Sequence, residues 1–214
     1  MRDTISAFSF LAIGAAAGLA SSPAAAAPVE TQGATACSIG AFATDHDPKG
    51  THVRAAPRAD APIVGRLPPL YYLSKDDYTG VEFKVLGSKD GWLLIRHAKY
   101  ENTIEDAYAG PGWIWGGLAG LTVGDERLLA EPRADAPILV WLKDSERGWS
   151  GVSFHVTRIY SCQGPFAEIG VKSPARQAKE RRGWVTRFCL AQLTTCDIPE
   201  SDGPSPPEHY RFPD

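Results

Sequence analysis

The sequence predicts an all-β protein built from two copies of one small domain. The heptapeptide at residues 57–63, PRADAPI, recurs letter for letter at residues 132–138. An identical stretch of this length indicates an internal duplication. Beyond the N-terminal region, short runs rich in Val, Ile, Phe, Tyr and Trp alternate with Gly, Pro and Asp, and no segment keeps an apolar 3.6-residue period. These patterns are typical of short strands joined by tight turns.

Further matches extend the duplication along the chain. Residues 78–83 match residues 149–154, the Gly-Trp-Ile at 112–114 matches the Gly-Trp-Val at 183–185, and residues 118–122 match residues 190–194. The order is the same in both copies, and the changing offset places insertions in the loops between matched blocks. We therefore expect two domains, at residues 37–123 and 124–197, that meet near Val123.

Each copy has the strand and turn pattern of a small curled barrel. In copy one, residues 81–87 and 92–96 are expected to form a hairpin around Lys89-Asp90-Gly91, a good hairpin connector. A further strand at residues 112–115 precedes a tight turn at residues 116–118. Five short strands in a repeat of about 75 residues predict a small barrel, which buries only a limited core by itself.

The two ends of the chain indicate export. An apolar stretch at residues 5–19 leads to Ala24-Ala25-Ala26, so residues 1–26 are interpreted as a cleaved signal peptide, too short to be a stable membrane anchor. Residues 197–214 carry five acidic side chains against one arginine, and the Pro-rich tail at residues 198–214 is expected to be disordered. The net charge of the whole chain is −3, so the remaining body is near neutral and gives no case for nucleic-acid binding. A periplasmic or secreted location follows.

Four cysteines, at positions 37, 162, 189 and 196, complete the picture of an exported protein. An even number in such a chain predicts two disulfides, for which three pairings exist. No histidine stands in a nucleophile motif with a cysteine, so we expect no enzyme activity. The polar segment at residues 45–50 is interpreted as a turn in which Asp side chains hold backbone amides, so no metal and no cofactor is expected.

Several of these motifs resemble the bacterial SH3 domain (SH3b). Residues 53–67 resemble the opening of that domain, residues 85–92 resemble its second strand, loop and Trp, and Gly112-Trp113-Ile114 with Leu118 resembles its closing strand and 3₁₀ turn. The resemblance implies two tandem SH3-like small barrels, after a signal peptide and before a disordered tail. Copy two departs from the pattern at residues 127–129 and 164–166, which weakens the case for a ligand site there.

The resemblance also implies a disulfide pairing. Cys162 ends the strand before a turn of copy two and Cys189 falls in its 3₁₀ turn, and these places are neighbours in an SH3-like barrel. We therefore pair Cys162 with Cys189, which leaves Cys37 with Cys196. The second bond would join the start of copy one to the end of copy two.

The aromatic residues of copy one carry the functional prediction. By resemblance, a ligand groove is flanked by Tyr71, Tyr72, Trp92 and Leu118. Alternation along the strand puts Trp113 and Trp115 on one face and Ile114 on the other, and both faces are not expected to be equally buried. The candidate ligand-binding residues are Tyr71, Tyr72, Trp92, Trp115 and Leu118. The alternative is that these rings are core or pack against copy two.

The function that follows is a non-catalytic binding module of the bacterial envelope. The SH3b resemblance implies peptidoglycan, or the peptides attached to it, as the ligand, recognised by aromatic stacking or by a peptide groove. The alternative is a periplasmic protein–protein adaptor or an accessory subunit of a cell-wall hydrolase. An envelope protein would then be the partner.

Overall fold

The computed structural model describes residues 27–75, 77–101, 103–124, 127–142, 154–172 and 179–189. The predicted signal peptide and the predicted tail lie outside these ranges. The all-β prediction is confirmed: the described residues form sixteen strands and one 3₁₀ turn, and no α-helix. None of their segments is a helix with the length and apolar character needed to cross a bilayer.

The strands follow the two halves of the sequence in order. The first half contains β1 (Thr35–Ala43), β2 (His52–Arg54), β3 (Ile63–Arg66), β4 (Tyr71–Tyr72), β5 (Tyr78–Thr79), β6 (Glu82–Lys89), β7 (Trp92–Lys99), β8 (Gly112–Trp115), the 3₁₀ turn η1 (Gly116–Leu118), β9 (Ala119–Gly120) and β10 (Thr122–Val123). The second half contains β11 (Arg127–Leu129), β12 (Ile138–Trp141), β13 (His155–Gln163), β14 (Phe166–Lys172), β15 (Arg181–Val185) and β16 (Phe188–Cys189).

The order of strands in the two main sheets repeats. The first sheet runs β3-β2-β8-β7-β6-β1-β9 and the second runs β12-β11-β15-β14-β13. Without β1 and β9, the two orders are equivalent strand for strand. The bulge between Val53 and Arg54 also has its counterpart between Leu128 and Leu129. The duplication is therefore visible in the topology as well as in the sequence.

The repeated heptapeptide forms the same turn in both copies. The Ala55 amide donates to the Pro62 carbonyl at 2.8 Å, and the Ala130 amide donates to the Pro137 carbonyl at 2.9 Å. One small side chain in each turn, Ala61 or its counterpart Ala136, is buried. The two turns occupy the same place in the fold, since they connect β2 to β3 and β11 to β12.

The prediction of two small closed barrels is not confirmed, because the described strands form open sheets. The last residues of repeat one pair with two different strands. Ala119 and Gly120 in β9 pair with β1, whereas Thr122 and Val123 in β10 pair with β16 of the second repeat. The last strand of repeat one thus joins the repeats instead of closing its own sheet.

One hydrophobic core extends through both repeats. Leu93 and Ile114 of repeat one belong to the same buried cluster as Ile159 and Ile169 of repeat two. The Ser88 hydroxyl adds a polar link, because it donates to the Cys162 carbonyl at 3.1 Å and accepts from the Cys162 amide at 2.9 Å. The predicted domain boundary near Val123 therefore falls in a segment whose two sides pack together.

The disulfide pairing predicted from the resemblance is wrong. Cys37 is bonded to Cys162, with a Cα–Cα distance of 5.6 Å. Neither Cys162–Cys189 nor Cys37–Cys196 can form beside this bond, and Cys196 lies outside the described residues.

Strand β1, which the sequence reasoning did not anticipate, is the physical reason. It carries Cys37 to the turn between β13 and β14, where the Ser38 amide donates to the Gly164 carbonyl at 2.8 Å. Cys189 instead pairs with Thr122 in the register of β10 and β16.

The expectation that the two faces of β8 would be unequally buried is also wrong for the central residues of the strand. Trp113 and Ile114 are both fully buried. Ile114 belongs to the common core, whereas the Trp113 indole donates to the Glu30 carbonyl at 2.7 Å. The N-terminal segment around Glu30 therefore covers the face that a bare barrel would expose to water.

We expect the double variant Cys37→Ser/Cys162→Ser to unfold more easily than the wild type. The bonded cysteines are 125 residues apart, and loss of a disulfide that closes such a loop costs about 2–5 kcal/mol of unfolding free energy. Urea unfolding followed by tryptophan fluorescence measures the change. Peptide mapping of unreduced wild type should recover a Cys37–Cys162 cross-link, and recovery of Cys162 joined to Cys189 would contradict the structure.

Candidate functional site

The structure divides the five predicted ligand-binding residues between separate places. Tyr71 and Tyr72 form strand β4 of a small hairpin, whereas Trp92 and Trp115 are paired where β7 begins and β8 ends. Leu118 ends the 3₁₀ turn, where its side chain is partly buried and its carbonyl accepts a hydrogen bond from the Thr44 amide at 3.0 Å. The ring contacts of the tyrosines and of the tryptophans are separate in the described part of the chain.

The first group is an exposed aromatic hairpin formed by β4 and β5, which we call the tyrosine hairpin. Tyr71 pairs with Thr79 and Tyr72 pairs with Tyr78, and the Leu73 amide donates to the Asp77 carbonyl at 2.8 Å across the turn. Tyr71, Tyr72 and Leu73 are 59%, 48% and 53% exposed. Large apolar side chains are thus held at the surface on ordered backbone.

The two faces of this hairpin differ, because neighbouring residues of a strand point to opposite sides. Tyr72 lies beside Tyr78 with their ring centroids 5.7 Å apart. His46 completes this face: its ring meets the Tyr78 ring edge-on at 4.8 Å, and its Nδ1 lies 2.8 Å from the Tyr72 hydroxyl. Tyr71 and Leu73, two residues apart, share the other face.

The turn that carries His46 is held as the sequence predicts. Asp45 accepts from the Asp47 amide at 3.1 Å and from the Thr51 hydroxyl at 2.9 Å, and Asp47 accepts from the Lys49 amide at 2.8 Å. The aspartates therefore order the backbone. Within the described ranges, His, Cys, Asp and Glu side chains do not gather in threes as they would at a metal site.

The second group is the pair Trp92 and Trp115, of which Trp115 contacts repeat two. Their rings meet edge-on at 5.6 Å. The Arg158 guanidinium lies 4.3 Å from the centre of the Trp115 ring and 4.2 Å from the centre of the Tyr160 ring, and the Arg182 guanidinium lies 4.1 Å from Tyr160. We call these five residues the inter-repeat stack. Arg158 of repeat two thus covers one face of Trp115, whose side chain remains 37% exposed.

The backbone at position 91 and the side chains around it favour glycine. Its φ of +81° is favourable only for glycine, and a Cβ there would lie 2.8 Å from Nη2 of Arg158 and 3.1 Å from the Trp115 ring. The Gly91-Trp92 pair that resembles an SH3b motif therefore has a second use in this chain, since it admits a cation from the other repeat.

Two glutamates hold the outer end of the stack. Glu168 accepts two hydrogen bonds from Arg182, at 2.7 and 2.8 Å, and one from the Ser161 hydroxyl at 2.7 Å. Glu180 accepts hydrogen bonds from the hydroxyls of Tyr160 and Thr157. The paired arrangement of Arg182 and Glu168 fixes the direction of the guanidinium plane.

These contacts shift the pKa values of the polar groups at this end. The hydrogen bond to Glu180, with burial, raises the pKa of the Tyr160 phenol. Burial alone would raise the pKa of Glu180, but the hydrogen bonds from Thr157 and Tyr160 and the charges of Lys172 and Arg158 together lower it. The neutral phenol and the ionised carboxylate are therefore the forms that the fold favours.

Sequence reasoning missed Arg158 and Tyr160. They are two residues apart in β13, so they share one face of the strand, while Ile159 points into the core. This alternation was readable from the sequence. The contact of Arg158 with the Trp115 ring could not be predicted from the sequence, because it depends on how the two repeats pack.

Comparisons of the chain with protein-family models, with curated proteins and with solved structures found no match. The SH3b resemblance therefore rests on the residue motifs alone.

The titration of Tyr160 tests the polar end of the stack. Its raised pKa means that the contribution of the phenol to stability is complete below pH 10 and is lost as the pH rises through the folded pKa. For Glu180, whose pKa is lowered, the contribution is complete above about pH 4.5 and is lost as the pH falls through the folded pKa. Absorbance at 295 nm should show one tyrosine whose pKa falls in Glu180→Gln and whose signal disappears in Tyr160→Phe. An unchanged high-pH titration in both variants would contradict the contact.

The inter-repeat stack should also be measurable as a coupling energy. The Nε of Arg158 is buried and has no hydrogen-bond partner in the described ranges, so its ring contacts, together with the charge of Glu180, favour the guanidinium there. A double-mutant cycle of Trp115→Ala and Arg158→Ala should give about 0.5–2 kcal/mol of coupling in urea unfolding. Arg181→Ala, an exposed arginine of β15, is the control and should be additive with Trp115→Ala. If Trp115→Ala is additive with Arg158→Ala as well as with Arg181→Ala, the contact between Trp115 and Arg158 does not stabilise the protein and the inter-repeat stack is refuted.

Proposed function

We propose that this chain is a non-catalytic binding protein of the bacterial envelope, built from tandem SH3-like repeats and recognising peptidoglycan or its peptides. The observation that carries the proposal is the tyrosine hairpin, where Tyr71 and Tyr72 are about half exposed in paired strands. The repeated strand order supports the tandem part of the proposal.

The location is supported by the cysteine chemistry. A disulfide between residues far apart in the chain is typical of proteins that fold in an oxidising compartment, such as the periplasm or the cell exterior. The apolar N-terminal stretch with its small-residue cleavage pattern supports the same interpretation.

Ordered aromatic rings at a surface favour recognition of flat, partly apolar ligands. Tyrosine offers a large ring and a hydroxyl with few rotatable bonds, so a sugar ring or a peptide can pack on it with a small loss of side-chain freedom. The contacts of Tyr72 with His46 and Tyr78 reduce that loss further, because the ring is already held in place.

The tyrosine hairpin is a better candidate than the tryptophans for the ligand contact. Trp115 has Arg158 over its ring, so a ligand that stacks on that face would have to displace a side chain of repeat two. Tyr71 and Tyr72 need no such displacement. Within the predicted set of five residues, the two tyrosines are therefore assigned the ligand contact.

A non-catalytic role is supported by the state of the thiols. Cys37 and Cys162 are joined to each other, so neither can serve as a thiolate nucleophile. The sequence places no histidine in a nucleophile motif with the remaining two cysteines.

The alternative role is that of a periplasmic adaptor or an accessory subunit of a cell-wall hydrolase. The exposed side chains of Tyr71 and Leu73 favour it, since aromatic and apolar residues at one edge suit a protein groove as well as a glycan. In that case an envelope protein, and not peptidoglycan itself, is the ligand of the hairpin.

Co-sedimentation with purified peptidoglycan tests the main proposal. Tyr72→Ala should weaken the association about three- to tenfold, as expected for loss of an aromatic packing contact, and its unfolding midpoint is measured alongside because Tyr72 also contacts His46 and Tyr78. Leu139→Ala is the matched control, because this leucine is 53% exposed on β12 of repeat two, and it should sediment normally.

Two results would count against the proposal in different ways. If the wild type fails to sediment at several salt concentrations, the adaptor is favoured. If it sediments but Tyr72→Ala and Leu139→Ala behave alike, the hairpin is not the contact surface. Incubation with soluble muropeptides followed by mass spectrometry separates both cases from an enzyme, since only an enzyme changes the ligand masses.

A further inference from the structure

A cleft with charged side chains along its walls is formed by β6, β7 and the segment that leads to β8. Its volume is about 340 Å³, and it is lined by Glu82, Phe83, Lys84, His97, Lys99 and Asp106. We call it the β6–β7 cleft. It contains none of the residues that the sequence assigns to a ligand, and its charged walls contrast with the aromatic surface of the tyrosine hairpin.

Lys84, which lines the cleft, and Arg96, which does not, form a pair of cations next to it. Lys84 lies directly opposite Arg96 in the register of β6 and β7, and both side chains are exposed. Neither forms a salt bridge with any residue in the described part of the chain. Like charges directly opposite each other destabilise a strand pair, so this arrangement favours an anion that neutralises them.

A histidine in an unusual backbone conformation forms the wall. His97 has a φ of +55°, in the left-handed region that few residues other than glycine adopt. It sits where the register of β6 and β7 shifts, and its Nδ1 lies 2.6 Å from Oδ2 of Asp106. Because a carboxylate only accepts, Nδ1 donates this bond, and Nε2 is left for another partner.

Another part of the cleft carries opposite charges and continues past the loop. Glu82 lies opposite Lys99 in the strand register. Asp106 is shared with a neighbouring cleft of about 570 Å³, which is also lined by Tyr100, Thr103, Ile104, Glu105 and Ala107. Ile104 is almost fully exposed there. The combined surface has a cationic end, a polar wall and an apolar extension, which suits an extended ligand better than an isolated ion.

We propose that the β6–β7 cleft binds the C-terminal carboxylate of a short peptide. Lys84 and the neighbouring Arg96 attract the carboxylate, Nε2 of His97 accepts a hydrogen bond from the backbone N–H of the terminal residue, and the surface around Ile104 contacts a preceding side chain. The inference rests on the proposed function for its choice of a peptide as the ligand, and it deepens that function by giving the peptide a surface distinct from the tyrosine hairpin.

The test uses N-acetyl-alanyl-alanine with a free C-terminus and the same peptide as its C-terminal amide. Each is titrated into the ¹⁵N-labelled mature protein, and amide shifts are followed by NMR. The free acid should shift the amides of residues 84, 96–99 and 106, with an affinity that falls as salt is added. The amide form should bind at least about tenfold more weakly, because the charge-assisted contact is lost.

Paired variants locate the site. Lys84→Gln should weaken binding of the free acid about tenfold without lowering the unfolding midpoint, because it relieves a like-charge pair. Lys179→Gln, an exposed lysine of repeat two, is the matched control and should bind as the wild type does. Equal binding of the acid and the amide, shifts confined to other residues, or no shift at millimolar peptide would each overturn the proposal.

The outcome is distinguishable from failure of the proposed function. Peptidoglycan binding that depends on Tyr72 but not on Lys84, together with no response to the free peptide, would leave the hairpin standing and reject the cleft. A response to the peptide without any sedimentation of the protein on peptidoglycan would retain the cleft and favour a protein terminus as its ligand.

Discussion

The arrangement of the two repeats depends on strand β1, which is bound to both of them. It pairs with β6 and β9 in the first sheet, and it is joined to the second sheet through the Cys37–Cys162 bond and the hydrogen bonds with Gly164. Because β13 is held against β1 in this way, its outer face meets the end of β8. Arg158 can then lie between Trp115 and Tyr160, and the buried side chains of both repeats can form one core.

This packing separates two roles that an isolated small barrel would combine. In repeat one, the Gly91-Trp92 turn and Trp115 belong to the contact with repeat two, so their aromatic surface contributes to assembly. The tyrosine hairpin and the charged side chains of the β6–β7 cleft are separate from the inter-repeat stack. Repeat one thus keeps one exposed aromatic surface and one cleft with charged side chains.

Local sequence signals predicted the elements that lie within each repeat. The heptapeptide, the Lys89-Asp90-Gly91 turn and the Gly-Trp strand each specify a structure through nearby residues, and the strands and turns that follow from them are present. Strand β1 was missed because its sequence, TACSIGAFA, is rich in small residues and poor in the β-branched and aromatic residues that mark strands. The wrong disulfide pairing followed directly from that omission.

The site was predictable in part for the same reason. The sequence named Tyr71, Tyr72, Trp92 and Trp115 as a group, but only packing decides which rings another side chain covers. The role of Trp115 depends on Arg158, which is 43 positions away in the numbering and belongs to a different sheet. Likewise, the bulge that turns His97 toward Asp106 arises from a register shift between two strands, for which the sequence carries no local signal.

The separation of Cys37 from its partner also affects how the chain is assembled. If the chain is exported from its N-terminus, as proposed, Cys37 reaches the oxidising compartment first and Cys162 follows 125 residues later. The early thiol would then stay unpaired, or exchange an earlier partner, until about half of the second repeat has emerged. Covalent closure would mark the chains in which both halves have found each other.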